Sequence, residues 1–226
     1  MKIFWTLSVF SVFLQGCPTN GVVTTELPRL AQPKVGSTYS FNYYLFTLDS
    51  TGTMKSSGLS RTVVDSVVQT NFSYAGKKNV MQVYETDSLG IATDIYYSYD
   101  DSGDKISVYL QDVAPLPFWL ELPIHPQGTS VRTDLDSVFG QTHIVQTDTT
   151  VNSGCFDTMI DGQTLEAVGL FSNIFTSSTL GSTKSTTHKI VHYSMAPSIG
   201  YFTQIQLPVD TSGFGSIKSL IRYVLR

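Results

Sequence analysis

Cys155, four histidines and two aspartate clusters are the side chains in this 226-residue chain that could do chemistry. Cys155 sits in Asn152-Ser-Gly-Cys155-Phe156, which reads as a turn-like approach to a strand. A nucleophilic cysteine needs a cation or helix N-terminus to lower its pKa, and a histidine poised by a third group. Neither is signalled here, so Cys155 reads as a small buried or half-buried residue. His188 and His192 are four apart, a metal-binding spacing on a helix. In a strand, the same spacing holds them about 13 Å apart, too far for one ion. The segment His-Lys-Ile-Val-His also lacks the glutamate of a helical zinc motif. Asp134-Leu-Asp136 and Asp100-Asp101-x-x-Asp104 invite a calcium loop, which requires glycine at its sixth position. The sixth residues are Phe139 and Lys105. No catalytic residue, metal ligand or cofactor site is assigned, and the chain is not expected to be an enzyme.

One segment has the make-up of a contact site. Pro115-Leu-Pro-Phe118-Trp119-Leu120 places two aromatics on a proline-stiffened loop. Phe118 and Trp119 could present a low-entropy surface to a lipid, a glycan or an envelope protein. The competing reading is a crossover in which both rings plug the open end of a core. Of residues 112–128, only Phe118 to Leu122 could make a helical turn, because prolines exclude a central strand there.

The elements that must position these residues are written in period two. In Tyr39-Ser-Phe41-Asn-Tyr43-Tyr-Leu45, alternate positions are apolar, and similar runs recur to the C-terminus, rich in β-branched and aromatic residues. Asp49-Ser-Thr-Gly52, Asp87-Ser-Leu-Gly90 and Asp210-Thr-Ser-Gly213 repeat one four-residue phrase between such runs, with Asp100-Asp-Ser-Gly103 a looser version. Aspartate first and glycine fourth suit a type I turn, so the phrases predict hairpins between antiparallel neighbours. Asp210-Thr-Ser-Gly213 is similar to the Asp-Thr-Gly of aspartic proteases, but its extra Ser and its twins favour a turn. The predicted fold is all-β: a meander of antiparallel strands with little helix. A shared phrase of Pro, Gly and Ser or Thr opens strands in PKVGSTY (33–39) and HPQGTSV (125–131). It could mark two similar halves split near 112–128 within one domain, 36–226.

The N-terminus supplies location. Lys2 precedes an uncharged apolar run from Ile3 to Leu14. That is the length of a signal-peptide core and shorter than the about 20 residues of a membrane span. Leu14-Gln15-Gly16-Cys17 resembles the lipobox of bacterial lipoproteins. The resemblance implies removal of residues 1–16, lipidation of Cys17, and residues 17–35 as lipidated N-terminus and tether. Pro18 after the cysteine then favours the outer membrane over the inner, on its periplasmic or surface face. With only two cysteines, the rival is an uncleaved anchor with a Cys17–Cys155 disulfide. Loss of Lys2 makes the net charge of −4 one unit more negative. Charged residues are 14% of the chain, against roughly 25% in an average domain, and no basic stripe points to nucleic acid.

The phrases PKVGSTYSF, ELPIHPQGTS and HYSMAPSIGYFTQIQL resemble a broad group of uncharacterised β-rich envelope lipoproteins. Tyr193, Ala196-Pro197 and Ile199-Gly200 match the group's closing pattern, while Val131 stands where it often has Trp. The resemblance implies that the meander forms a strongly curved sheet, half-barrel or barrel with no established enzymatic role. The leading reading is a membrane-anchored protein with a non-enzymatic binding or structural role. The alternative is a carrier of acyl chains or lipoproteins with an apolar concave sheet; a hydrolase has less support.

Overall fold

The computed structural model describes residues 29–111, 117–210 and 213–226. Twelve strands carry the fold: β1 (Thr38–Leu48), β2 (Met54–Tyr74), β3 (Lys77–Asp87), β4 (Ala92–Tyr99), β5 (Lys105–Leu110) and β6 (Phe118–Pro123), followed by β7 (Ser130–Phe139), β8 (Thr142–Ile160), β9 (Gln163–Leu180), β10 (Thr183–Ala196), β11 (Tyr201–Leu207) and β12 (Gly215–Val224). All belong to one antiparallel sheet in the order β6-β5-β4-β3-β2-β1-β12-β11-β10-β9-β8-β7. Two consecutive six-stranded meanders are therefore joined where β1 pairs with β12.

The sheet curls until its edges β6 and β7 approach, nearly closing a barrel. The link between them stitches the seam. Ile124 and His125 donate their N–H groups to the Asp104 carbonyl, at 2.7 and 3.0 Å. Asn152 of β8 donates its side-chain amide to the Ile124 carbonyl at 2.6 Å. Asn152 and Thr129 add a backbone bond of 2.9 Å. An edge that would otherwise expose unpaired N–H and C=O groups is thereby covered.

The aspartate phrases make the turns predicted for them. The Asp49 carboxylate accepts the N–H groups of Thr51 and Thr53, and that of Asp87 accepts those of Leu89 and Ile91, each at 2.9–3.0 Å. Gly52, Gly90, Gly103 and Gly213 take positive φ, between 73° and 83°. Both Pro/Gly phrases are also turns. Ser37 N–H reaches the Lys34 carbonyl and Thr129 N–H the Pro126 carbonyl, with Gly36 and Gly128 at φ 89° and 79°.

Aromatic rings fill the lower interior. Tyr39 stacks on Tyr201 at 4.1 Å, and Phe41, Met81, Ile106 and Leu120 have no exposed surface. Buried hydroxyls hold the floor of the barrel: Tyr39 donates to the Ile199 carbonyl and Tyr99 to that of Gly200. The floor turn is Pro197–Ile199, a single 3-10 turn capped by left-handed Gly200. Any side chain at 200 would collide with the Ala31 carbonyl, 1.9 Å from where a Cβ would stand. The Ala196-Pro197-x-Ile199-Gly200 motif is thus the site where the N-terminal segment crosses the barrel floor.

Three sequence expectations change. Part of residues 29–35, assigned to the tether, is packed: Leu30 is 6% exposed and joins the core, Pro33 is buried, and Leu30 N–H bonds to the Gly103 carbonyl, while Ala31, Lys34 and Val35 stay exposed. Phe118–Pro123 is a strand and not a loop or helical turn; its prolines sit at its end or before it, which an edge strand tolerates. Asn152-Ser-Gly-Cys155 lies inside β8, where a bulge between Asn152 and Gly154 supplies the turn-like composition.

Candidate functional site: an aromatic face and a polar cleft around Trp119

Alternation along β6 separates the two residues singled out in the sequence. Phe118 pairs with Leu110 and packs against the core, while Trp119 pairs with Tyr109 on the outer face. The ring at 118 therefore fills the core, and the ring at 119 faces out.

Trp119 ends a transverse row. Gln82 on β3 pairs with Tyr96 on β4, and the Tyr96 and Tyr109 rings meet at 6.3 Å in edge geometry. Tyr109 lies 4.9 Å from Trp119. Two further rings arrive from the end of β2. Bulges between Gln69 and Tyr74, with Asn71 at φ 57°, swing that strand across the outer face. Tyr74 then stacks on Tyr96 at 4.0 Å and 15°, with Phe72 at its side. A two-residue turn, Ala75-Gly76, closes this hairpin, and both residues have positive φ, as a type I′ turn requires. Trp119 Nε1 donates to the Ala75 carbonyl at 2.9 Å, pinning the hairpin tip to β6. All five rings, Phe72, Tyr74, Tyr96, Tyr109 and Trp119, stay half-buried.

The next row along the strands is polar. Ser107 pairs with Glu121, and Lys77 from the hairpin reaches both, with Nζ 2.9 Å from Ser107 Oγ and 2.7 Å from Glu121 Oε1. These residues line a cleft of about 380 Å³ with Asn79, Asp101 and Lys105. Three lysines (77, 78 and 105) face three acids (100, 101 and 121), so the lining is balanced in formal charge. Asn79 donates to Asp101, and the Asn79 carbonyl accepts from Gln32 in the floor segment. The site therefore combines stacked rings with alternating donors and acceptors. Within it the Lys77 ammonium is shared between the Ser107 hydroxyl and the Glu121 carboxylate.

The remaining sequence candidates are dispersed. Asp134 holds Arg132 through both carboxylate oxygens, at 2.9 and 2.8 Å, and Asp136 contacts His143 at 2.6 Å. His188 stacks on Phe175 at 4.1 Å. His192 is half-buried, and burial lowers its pKa. Among the described residues, no group of three potential ligands comes together as a metal site. Cys155 is half-buried opposite Val168. Cys17 lies outside the described residues.

The barrel interior holds groups not singled out in the sequence. Lys218 bridges Asp65, with contacts of 2.8 and 3.0 Å, and Glu85. Tyr201 donates to Asp65 at 3.0 Å, and burial pushes the Asp65 carboxyl up to about 6 against the opposing pull of Lys218. Asp148 on β8 is 1% exposed, and its Oδ2 accepts no hydrogen bond among the described residues. Burial raises this carboxyl to about 6 as well, opposed by Thr150 and Ser172.

The fold and site define a nearly closed, twelve-stranded antiparallel barrel with an aromatic and polar outer face. Two solved structures are similar to it. One is a candidate lipoprotein from Parabacteroides distasonis, with TM-score 0.46 and 9% identity over 88% of this chain and 100% of that one. The other is a candidate exported protein with a YmcC-like fold from Bacteroides fragilis, with TM-score 0.44 and 11% identity over 87% and 99%. No protein family and no curated protein matches the sequence.

Proposed function

We propose that this chain is a membrane-anchored bacterial envelope lipoprotein, held by lipid on Cys17, that binds another envelope component through the outer face around Trp119. The aromatic row beside the charge-balanced cleft carries the binding half of this reading. The anchor half rests on the signal-peptide pattern and the Leu-x-Gly-Cys17 phrase. A thioether on Cys17 and a disulfide to Cys155 exclude each other, so processing decides between the two fates. An acyl carrier is less favoured, because the rings that would line its cavity fill the barrel instead, Tyr39 against Tyr201 among them.

The contact face is tested by photocrosslinking in intact cells from position 84. Tyr84 is 44% exposed on the outer face of β3, one register step from Gln82, and replacing it leaves the five rings in place. Benzoylphenylalanine at 84 is expected to give a recurrent adduct that the same probe at Ile221, 42% exposed on β12, does not. An empty lane at 84, or equal adducts at both positions, contradicts the reading.

A further inference from the structure

The proposed contact face leaves its ligand unnamed, and the chemistry of the cleft narrows the choice. We infer that the cleft beside Trp119 binds a segment of neutral glycan; this inference rests on the assignment of that face as the binding surface.

Three observations carry it. The volume of about 380 Å³ lies in the range of small-molecule sites, roughly 300–1,000 Å³. The lining is hydroxyl, amide, ammonium and carboxylate, arranged as donor–acceptor pairs such as Lys77 with Glu121 and Asn79 with Asp101. A polyhydroxylated ligand can insert into such pairs, because each of its hydroxyls both donates and accepts. An anionic or cationic ligand would meet as many like charges as opposite ones, since three lysines oppose three acids. An acyl chain would find polar groups to desolvate with no return. The aromatic row supplies what a sugar needs besides hydrogen bonds. The C–H faces of a pyranose are apolar, and half-buried rings at Tyr109 and Trp119 lie one register step from Ser107 and Glu121 on the same strands.

Tryptophan fluorescence reads this site directly. Trp5 and Trp119 are the only tryptophans, so the Trp5→Phe protein, purified in detergent, reports on Trp119 alone whether or not residues 1–16 are removed. The probes are mannohexaose, cellohexaose, maltohexaose and the tetramer of N-acetylglucosamine, with polygalacturonate and phosphatidylethanolamine–phosphatidylglycerol vesicles as charged and lipid comparisons. At least one neutral oligosaccharide is expected to shift the emission saturably below about 10 mM. Lys77→Met and Glu121→Gln, which keep side-chain size, are expected to weaken that binding about tenfold, equivalent to about 1.4 kcal/mol. Unchanged thermal melting would confirm that both variants fold. Saturation by the anionic polymer or the vesicles alone, or no response to any probe, overturns the glycan inference. An adduct at position 84 combined with a silent glycan titration rejects the glycan and keeps the binding face; failure of both rejects the face itself.

Discussion

Single residues decide how this barrel responds to pH. Asp148 is buried with one oxygen unpartnered among the described residues, and burial raises its carboxyl from the ordinary 3.8 to about 6. The folded state therefore holds a proton that the unfolded chain has released between about pH 4 and 6. The stability this group allows is fully present below pH 4 and is lost as pH rises through 6, by at most about 3 kcal/mol. Asp148→Asn is expected to raise the melting temperature at pH 7.5 by several degrees and to flatten its decline across that window. Melting curves from pH 4 to 8 check this; a variant less stable than wild type at pH 7.5 contradicts it. The buried tyrosines illustrate the opposite economy. Tyr39, Tyr99 and Tyr201 keep their protons because burial drives their pKa values upward, and each spends its hydroxyl on a floor carbonyl or on Asp65.

At the scale of elements, hairpin chemistry governs both fold and site. The Asp-x-x-Gly phrases were legible because the carboxylate and the positive-φ glycine act within four residues. The type I′ turns were not all legible. Asp161-Gly162 carries the usual residues, whereas Ala75-Gly76 forces an alanine to φ 46°. An L-residue in that region costs roughly 1–2 kcal/mol, and asparagine tolerates it better. Ala75→Asn is therefore expected to stabilise the protein by about 1 kcal/mol while keeping the carbonyl that receives Trp119. Chemical denaturation measures this, and destabilisation would mean that the turn is not strained. Trp119 was visible in the sequence beside Phe118 in a proline-rich segment, but its neighbours Tyr74, Tyr96 and Tyr109 were not connected to it. Their meeting depends on strand register and on a bulged β2 folding back over the sheet, both non-local. The alternation of rings in Ile95-Tyr96-Tyr97, Val108-Tyr109 and Phe118-Trp119 was the available signal, once the hairpin turns fix the register.

For the whole molecule, antiparallel order places the termini and the site at one end. The chain enters β1 and leaves β12 at the end that carries the β2–β3 and β4–β5 turns, and the floor segment touches both, through Asn79 and Gly103. The cleft lined by Lys77 and Lys105 therefore sits beside the floor segment at Leu30 and Gln32. From Cys17 to Arg29 an extended chain spans at most about 40 Å, so an anchored barrel would present its cleft close to the membrane surface. The period-two pattern made the meander readable, but not the pairing of β1 with β12 or the approach of β6 to β7, which no local signal encodes. Lipid on Cys17 is read by mass spectrometry of the peptide containing residue 17, from protein purified out of palmitate-labelled cells. The expected result is a chain beginning at Cys17 with labelled acyl groups on that residue, and no label in a Cys17→Ser variant. An intact N-terminus from Met1 with residue 17 linked by disulfide to the Cys155 peptide would contradict it.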